Sequence, residues 1–474
     1  MHFDLIVRNA LVANLFSTEI ADVAILGGKV AAIGVGLEGT VETEIDGTDK
    51  VLVPGGIDPH THFDTLSPDG SLVSVDDYES GTRAAAAGGI TTIVNYAFQL
   101  EGESMTAALD REMAKAVGRS HVDYGFHPIL TDLRDGATLD EIAQVVAAGY
   151  PSVKIFTAYD PFRVTDRESI RVLAAAREAK ALVNVHPEDD GLTEYLTEVH
   201  SQHPDESDSM LQSFRRSRPD DAEALAIERI GIYAKSVSCP VYFVHLSSRA
   251  AVESVRQVRE AGAQVFTEVR PAYLFLEQSH YDLPNGNQYV CLPPLRTTDD
   301  QSALWDAMGA DQIQTSASDH TTYRVAQKMG PYDNFIDIPP GFASVQTGFG
   351  LLYSHGVATG RLTLSQFVGI TSTNSAKIFG LWPRKGQIAV GADADLVLID
   401  PNRTMTLAQD IMQSRSDYDP FTGIEVTGWP ETTIARGEII YADGQIASSP
   451  GRGEWQFRDI TVGDPSDPMT PTFL

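Results

Sequence analysis

Between residues 56 and 318 the chain repeats one unit: a short apolar run, a turn, then a longer stretch of helical periodicity. The runs are Gly56–His62, Thr91–Ala97, Val122–Phe126, Val153–Thr157, Leu182–His186, Val241–His245, Gln264–Thr267 and Gln314–Ser318. Their length and β-branched content suit buried strands. Helix-like stretches lie between them at Asp77–Ala87, Ser104–Val117, Leu139–Ala148, Arg167–Lys180, Asp220–Lys235 and Arg249–Ala261. Strands alternating with helices pair in parallel, because a parallel return needs a crossover. Eight such units imply closure into an α/β fold, a (β/α)8 TIM-like barrel. The interval from Pro187 to Pro240 exceeds a loop plus one helix, so an excursion over the barrel mouth is expected.

The two ends of the chain read differently. Leu5–Val12, Asp22–Leu26, Lys29–Ile33 and Lys50–Val53 are strand-like and separated by turn signals such as Gly27-Gly28. Similar material returns at Ala394–Asp400, Glu431–Ala435 and Glu438–Ala442. A small β-sandwich domain built from both termini is therefore expected, from residues 1–53 and 374–446. It would flank a barrel at 54–373 and precede an irregular tail at 447–474 that holds Pro450, Pro465, Pro468 and Pro471.

Charge narrows the partners. With 35 Lys+Arg against 65 Asp+Glu the net charge is −30, which repels nucleic acid and anionic membranes alike. The plain reading of this excess is a solvated acidic shell. Cys239 and Cys291 make no disulfide framework, and no run approaches the ~18 apolar residues of a membrane span. The start, Met1-His2-Phe3-Asp4-Leu5, reads as a strand and not a signal peptide. A cytoplasmic location is expected.

His60-Thr61-His62 is the first sharp chemical feature. Side chains two apart on an extended segment point the same way, so both imidazoles can face one ion. Alone the pattern is weak, but it ends the first strand, and barrel active sites sit at the C-terminal ends of strands. His186 and His245 close two further runs, and Asp319 follows the eighth. One histidine in such a place is ordinary structure; four with an aspartate, all at the same end, form a pattern suited to zinc and related divalent ions. Lys154 stands inside the fourth run. A snorkelling lysine is the bland reading. A bare ammonium there would repel a metal cluster, whereas addition of CO2 would turn the amine into a carbamate able to bridge two cations. Cys291 reads as a buried thiol, and Asp58 as a support for the neighbouring motif.

Taken together, Pro54–His62, Asp76–Gly89, Ser152–Tyr159, Tyr289–Arg296, Ser372–Gly380, Lys385–Asp395 and Tyr418–Gly428 resemble the hydantoinase and dihydropyrimidinase group, the cyclic amidases of the amidohydrolase superfamily. The resemblance spans essentially the whole chain. It implies a hydrolase that opens a cyclic amide or ureide with a metal-bridging hydroxide. Two divalent metals per subunit are implied, zinc first, with manganese or cobalt as alternatives. His60 and His62 would bind the more buried ion and His186 and His245 the more exposed one. Lys154, as N6-carboxylysine, would bridge them, and Asp319 would complete the first site and shuttle the proton. Tyr159 would donate to the developing oxyanion and help bind substrate. A homotetramer is implied by the resemblance alone.

The substrate end departs from the family pattern. Leu292 stands where Ser normally precedes Pro-Pro-Leu-Arg, and Pro340 replaces Asn in Ile-Pro-Asn-Gly. A backbone contact survives the first change; the second keeps a carbonyl but removes an N–H. Pro187-Glu188-Asp189 replaces the usual Ala-Glu-Asn, and Ala343–Gly348 replaces a Gly-Val-Glu-Asp-Arg-like stretch. Leu292 and Pro340 are nonetheless expected to contact substrate. Hydantoins and dihydropyrimidines lead, with cyclic imides or another lactam as alternatives. Dihydroorotase and allantoinase typically carry Arg after the H-x-H pair, where this chain has Phe63-Asp64. The rival of another class is a non-catalytic scaffold of the same fold, which lacks the metal ligands that this chain keeps.

Overall fold

The computed structural model describes residues 1–66, 72–133, 137–202, 209–461, 463 and 466–473. Eight parallel strands follow one another in chain order: Gly56–Thr61, Ile90–Phe98, Asp123–Ile129, Ser152–Phe156, Leu182–His186, Val241–Phe243, Val265–Val269 and Thr315–Ser316. A parallel bridge between Thr61 and His320 ties the first strand to the segment after the eighth. Asp319 N–H donates to His60 O at 2.9 Å and His62 N–H to His320 O at 3.0 Å beside that bridge. Apart from half-buried Phe98 and Phe156, every residue of these strands is buried, as expected of a sheet covered on both faces.

The covering helices start and stop on local chemistry. Asp77 caps Tyr78–Ala87 by accepting the N–H groups of Glu79 and Ser80, both at 3.0 Å. Thr165 and Glu168 form a reciprocal capping box at the head of Asp166–Ala179. Arg249–Glu260 buries Ala251, Ser254, Val255 and Val258, the stripe of a one-faced helix. The Pro187–Pro240 interval holds helices Asp190–Gln202, Met210–Arg216 and Asp220–Val237. Thr193, Glu194, Phe214 and Arg218 from this interval line the cavity at the barrel mouth, so the excursion lies where the sequence places it.

The terminal segments form one mixed nine-stranded sheet. Val51–Pro54 pairs parallel with His2–Ala13 and antiparallel with Leu396–Thr406, which joins the two ends of the chain. Alternate residues Leu5, Val7, Val23, Ile25, Leu52, Leu396 and Leu398 build a separate core, while Val51, Val53, Val397 and Ile399 face the barrel. Strand Thr40–Asp46 goes beyond the sequence reading; its burial is too slight to leave an apolar signal, and it is held by parallel pairing with His2–Ala13. The described residues after 446 run irregularly beneath the barrel, where Gln456 N–H donates to Tyr124 O at 2.8 Å and Arg458 reaches Ser152 Oγ at 3.1 Å. Pro465 of that tail lies outside the described residues.

Candidate metal and active site

The barrel strands deliver their chemistry at the mouth, and two of them end two residues sooner than their apolar runs. Val241–Phe243 stops before His245, and Thr315–Ser316 before Asp319. Both residues then adopt left-handed backbone, φ 43° at His245 and 50° at Asp319, as does Tyr159 at 77°. Left-handed backbone is costly for side chains such as these and persists where surrounding structure enforces it. Here it turns three polar side chains into one space.

His60 Nε2, His62 Nε2 and Asp319 Oδ1 converge. The imidazole nitrogens are 3.2 Å apart, and Asp319 Oδ1 lies 3.1 Å from His60 and 3.3 Å from His62. The edges of a tetrahedral shell with bonds of about 2.0–2.1 Å are roughly 3.3–3.4 Å, so these spacings suit three ligands of one ion. The three form a group able to hold a metal ion. A second pair faces it: His186 Nδ1 and His245 Nε2 are 2.9 Å apart. Lys154 stands between, with Nζ 3.5 Å from His60 Nε2 and 4.2 Å from the Tyr96 ring centre. Among the described residues it has no ion-pair partner. His245 Nδ1 is buried with no hydrogen-bond partner among them. Clustered imidazoles, an interior amine outside ion-pair distance of any described carboxylate, and the Asp319 carboxylate suit a divalent metal centre.

Electrostatics fit that reading. Burial lowers the Lys154 pKa to about 8 against the opposing pull of Asp319 and Glu268, which favours the free amine that CO2 requires. Burial also lowers His62 to about 4, leaving it neutral with a lone pair to give. For Asp319, burial pushes upward, but Arg270 and then His60 hold it well below the usual carboxylate range. Burial and then Glu188 raise the Tyr159 phenol well above its ordinary value, so it stays a donor.

Outer partners orient these groups. His60 Nδ1 meets Glu268 Oε1 at 2.7 Å, which fixes the tautomer with Nε2 free to face the centre. Asp58 accepts from His60 N–H at 3.0 Å and from Ser318 N–H, holding the first strand against the eighth. Arg270 Nη1 lies 2.9 Å from Asp319 Oδ2. Glu188 accepts from Tyr159 Oη and lies 2.8 Å from His186 Nε2, while Arg218 Nε donates to Tyr159 Oη at 3.3 Å. Sequence reasoning missed Glu268, Arg270, Glu188 and Arg218 as site residues. The seventh strand continues to Val269, two residues past the apolar run, so the strand-end criterion applied there would have found Glu268 and Arg270.

All of this opens into a cavity of about 730 Å3. Its floor includes His62, Lys154, His186, His245 and Asp319, with Tyr159 on the wall. Leu292 and Pro340 also line it, bringing every expected site residue to this mouth except His60, which lies beneath. Aromatic side chains also line it: Phe98, Phe156, Phe162, Phe214, Tyr332 and Phe335. Residues 67–71, next to the wall at Leu66 and Leu72, are outside the described set.

Comparisons with known proteins agree with this geometry. The model of the amidohydrolase family matches residues 51–440. A D-hydantoinase of Geobacillus stearothermophilus is 39% identical over 457 residues, covering 95% of both chains. A D-hydantoinase of Rhizobium radiobacter is 34% identical over 459 residues, 96% of this chain and 99% of its own. The crystal structure of a dihydropyrimidinase from Brevibacillus agri superposes with a TM-score of 0.92 at 37% identity, over 96% of this chain and 98% of the other. Barrel, terminal sheet, ligand spacing and these likenesses agree, and the chain belongs to the amidohydrolase family, in its hydantoinase and dihydropyrimidinase group.

Proposed function

We propose that the protein hydrolyses the ring amide of a cyclic ureide, of hydantoin or dihydropyrimidine type. The observation that carries this reading is the convergence of three imidazoles, Asp319 and Lys154 on one cavity floor beside the Tyr159 hydroxyl, with the His60 imidazole directly beneath. His60, His62 and Asp319 would hold one divalent ion, His186 and His245 a second, and Lys154, carboxylated, would be shared between them; zinc is preferred, with manganese or cobalt as alternatives. Such a pair, when bound, supplies Lewis acidity toward a carbonyl and lowers the pKa of water toward neutrality.

The chain's own groups do the rest. Asp319, ionised at neutral pH, is the base that receives the proton of the attacking water and returns it to the departing ring nitrogen. Tyr159 Oη, whose one proton rests on Glu188, would turn it to the carbonyl oxygen as that oxygen gains charge, while Arg218 Nε still donates to the phenol oxygen. The backbone of Leu292 and the Pro340 carbonyl would read the polar edge of the ring, and the aromatic wall would receive a ring substituent. The scaffold alternative is disfavoured, because every expected ligand is present and aimed inward.

A substrate panel tests the proposal. Protein supplied with divalent metal and bicarbonate is expected to give its highest kcat/KM on hydantoins or dihydropyrimidines, with the carbamoyl amino acid as product. Turnover confined to imides or simple lactams would move the substrate class, and no turnover on any member would refute the hydrolytic reading.

A further inference from the structure

Lys328 takes no part in the chemistry above, yet it is fully buried beside it. It ends the short helix Val325–Lys328, and its ammonium donates to three backbone carbonyls: Val290 O at 2.9 Å, Pro339 O at 2.7 Å and Gly341 O at 3.1 Å. A lysine ammonium has three N–H donors and no acceptor, so this arrangement uses all of them. Among the described residues no carboxylate lies within ion-pair distance of it; its partners are the three carbonyl dipoles and the Tyr323 ring, 5.9 Å away at its centre. Those carbonyls belong to two separate segments. One is the stretch leading into Leu292; the other is Pro339–Gly341, which carries Pro340. Both line the cavity, and Gly341 N–H adds a direct bond to Val290 O at 2.9 Å.

We propose that Lys328 is a positioning residue that clamps the two substrate-reading loops at one spacing, so that backbone groups near Leu292 and Pro340 meet the polar edge of the ring together. The inference rests on the reading of those loops given under the proposed function. Pro340 has no N–H to pair across the gap, so the lysine supplies the cross-link that a backbone donor at this place would otherwise share. Without it, three carbonyls face one another in a space with a single remaining donor. Such groups separate or recruit water, and the loops move apart. The helix itself is anchored from outside the cavity, where Val325 N–H donates to Asp417 Oδ1 at 2.7 Å. That anchor lets the lysine act as a fixed point for both loops.

Two variants and two readouts test the clamp on the full-length, metal-loaded protein. Lys328→Met keeps the stem and removes every donor; Lys328→Gln keeps one donor group of shorter reach. Expected for Lys328→Met is a KM for hydantoin raised on the order of 10- to 100-fold, with kcat within about threefold of wild type, because misplaced binding groups cost affinity and orientation more than chemistry. Lys328→Gln should recover part of that KM. Metal content should match wild type in both. Independently of turnover, backbone amide exchange should quicken in peptides spanning 286–296 and 335–345 of Lys328→Met and stay unchanged across the barrel strands. Unchanged exchange in those peptides, or an unchanged KM in a folded variant, would overturn the clamp. So would failure of both variants to fold, which would assign Lys328 to structure alone. A wild-type protein that leaves hydantoin intact counts against the proposed function only, and the exchange measurement still decides the clamp.

Discussion

Lys154 is the residue on which the site turns. Its ammonium would stand 3.5 Å from the His60 imidazole, on a floor whose other groups suit cations, with the Tyr96 and Phe156 rings beside it. As a carbamate it becomes a ligand instead of a competitor. Lys154→Ala is expected to lose metal and to cut kcat/KM by at least about 1,000-fold, roughly 4 kcal/mol of transition-state stabilisation. Acetate or propionate should restore part of both, by placing a free carboxylate where the carbamate stood. Metal analysis and rates with and without the added acid check this, and wild-type activity in the alanine variant would contradict it. His60, His62, His186, His245 and Asp319 were legible because position at a strand end is one-dimensional information. Glu188 was not, because its role depends on meeting His186 and Tyr159 from a loop whose sequence resembles an ordinary turn.

At the scale of elements, the lengths of strands and loops decide where side chains point. The sequence expects strands reaching His245 and Ser318, whereas regular pairing stops at Phe243 and Ser316. The difference is the backbone turn that aims His245 and Asp319, and apolar patterning carries no trace of it. Thr40–Asp46 escaped for the opposite reason: an exposed strand has no apolar pattern to read. The loop between Gln409–Ile411 and Glu425–Ala435 holds a buried carboxyl, Asp419, which accepts from Phe421 N–H at 2.9 Å. Burial raises its pKa to about 7. The folded state therefore holds this proton more tightly than the unfolded chain, where the pKa is near 3.9. The resulting stability is complete below about pH 4, declines as pH rises and is lost above about pH 7, on the order of 4 kcal/mol across the window. Asp419→Asn should flatten that part of the decline and be the more stable protein at pH 8. Urea unfolding at pH 5 and pH 8 checks this, and an identical pH slope in both proteins would contradict it.

At the scale of the whole molecule, the barrel and the two-ended sheet play different parts. The sheet has a core of its own, packs Val51, Val53, Val397 and Ile399 against the barrel, and stays away from the mouth. The barrel supplies the proposed ligands, and the helices of the Pro187–Pro240 interval supply part of the wall. The alternation of eight apolar runs already implied this architecture, because parallel strands buried on both faces leave a nearly continuous apolar signature. Among the described residues no helix is long and apolar enough to cross a membrane. The charge of −30 is a property of the whole chain, and the proposed chemistry uses only a handful of its residues. On the proposed reading those residues hold divalent metal and open a cyclic ureide. The decisive measurement titrates metal-free protein with zinc, in the presence of bicarbonate, while following hydantoin ring opening. Activity should rise from the baseline and level off at two metal equivalents per chain. Protein that binds no zinc, or that binds it and leaves the hydantoin ring closed throughout the titration, would contradict the account.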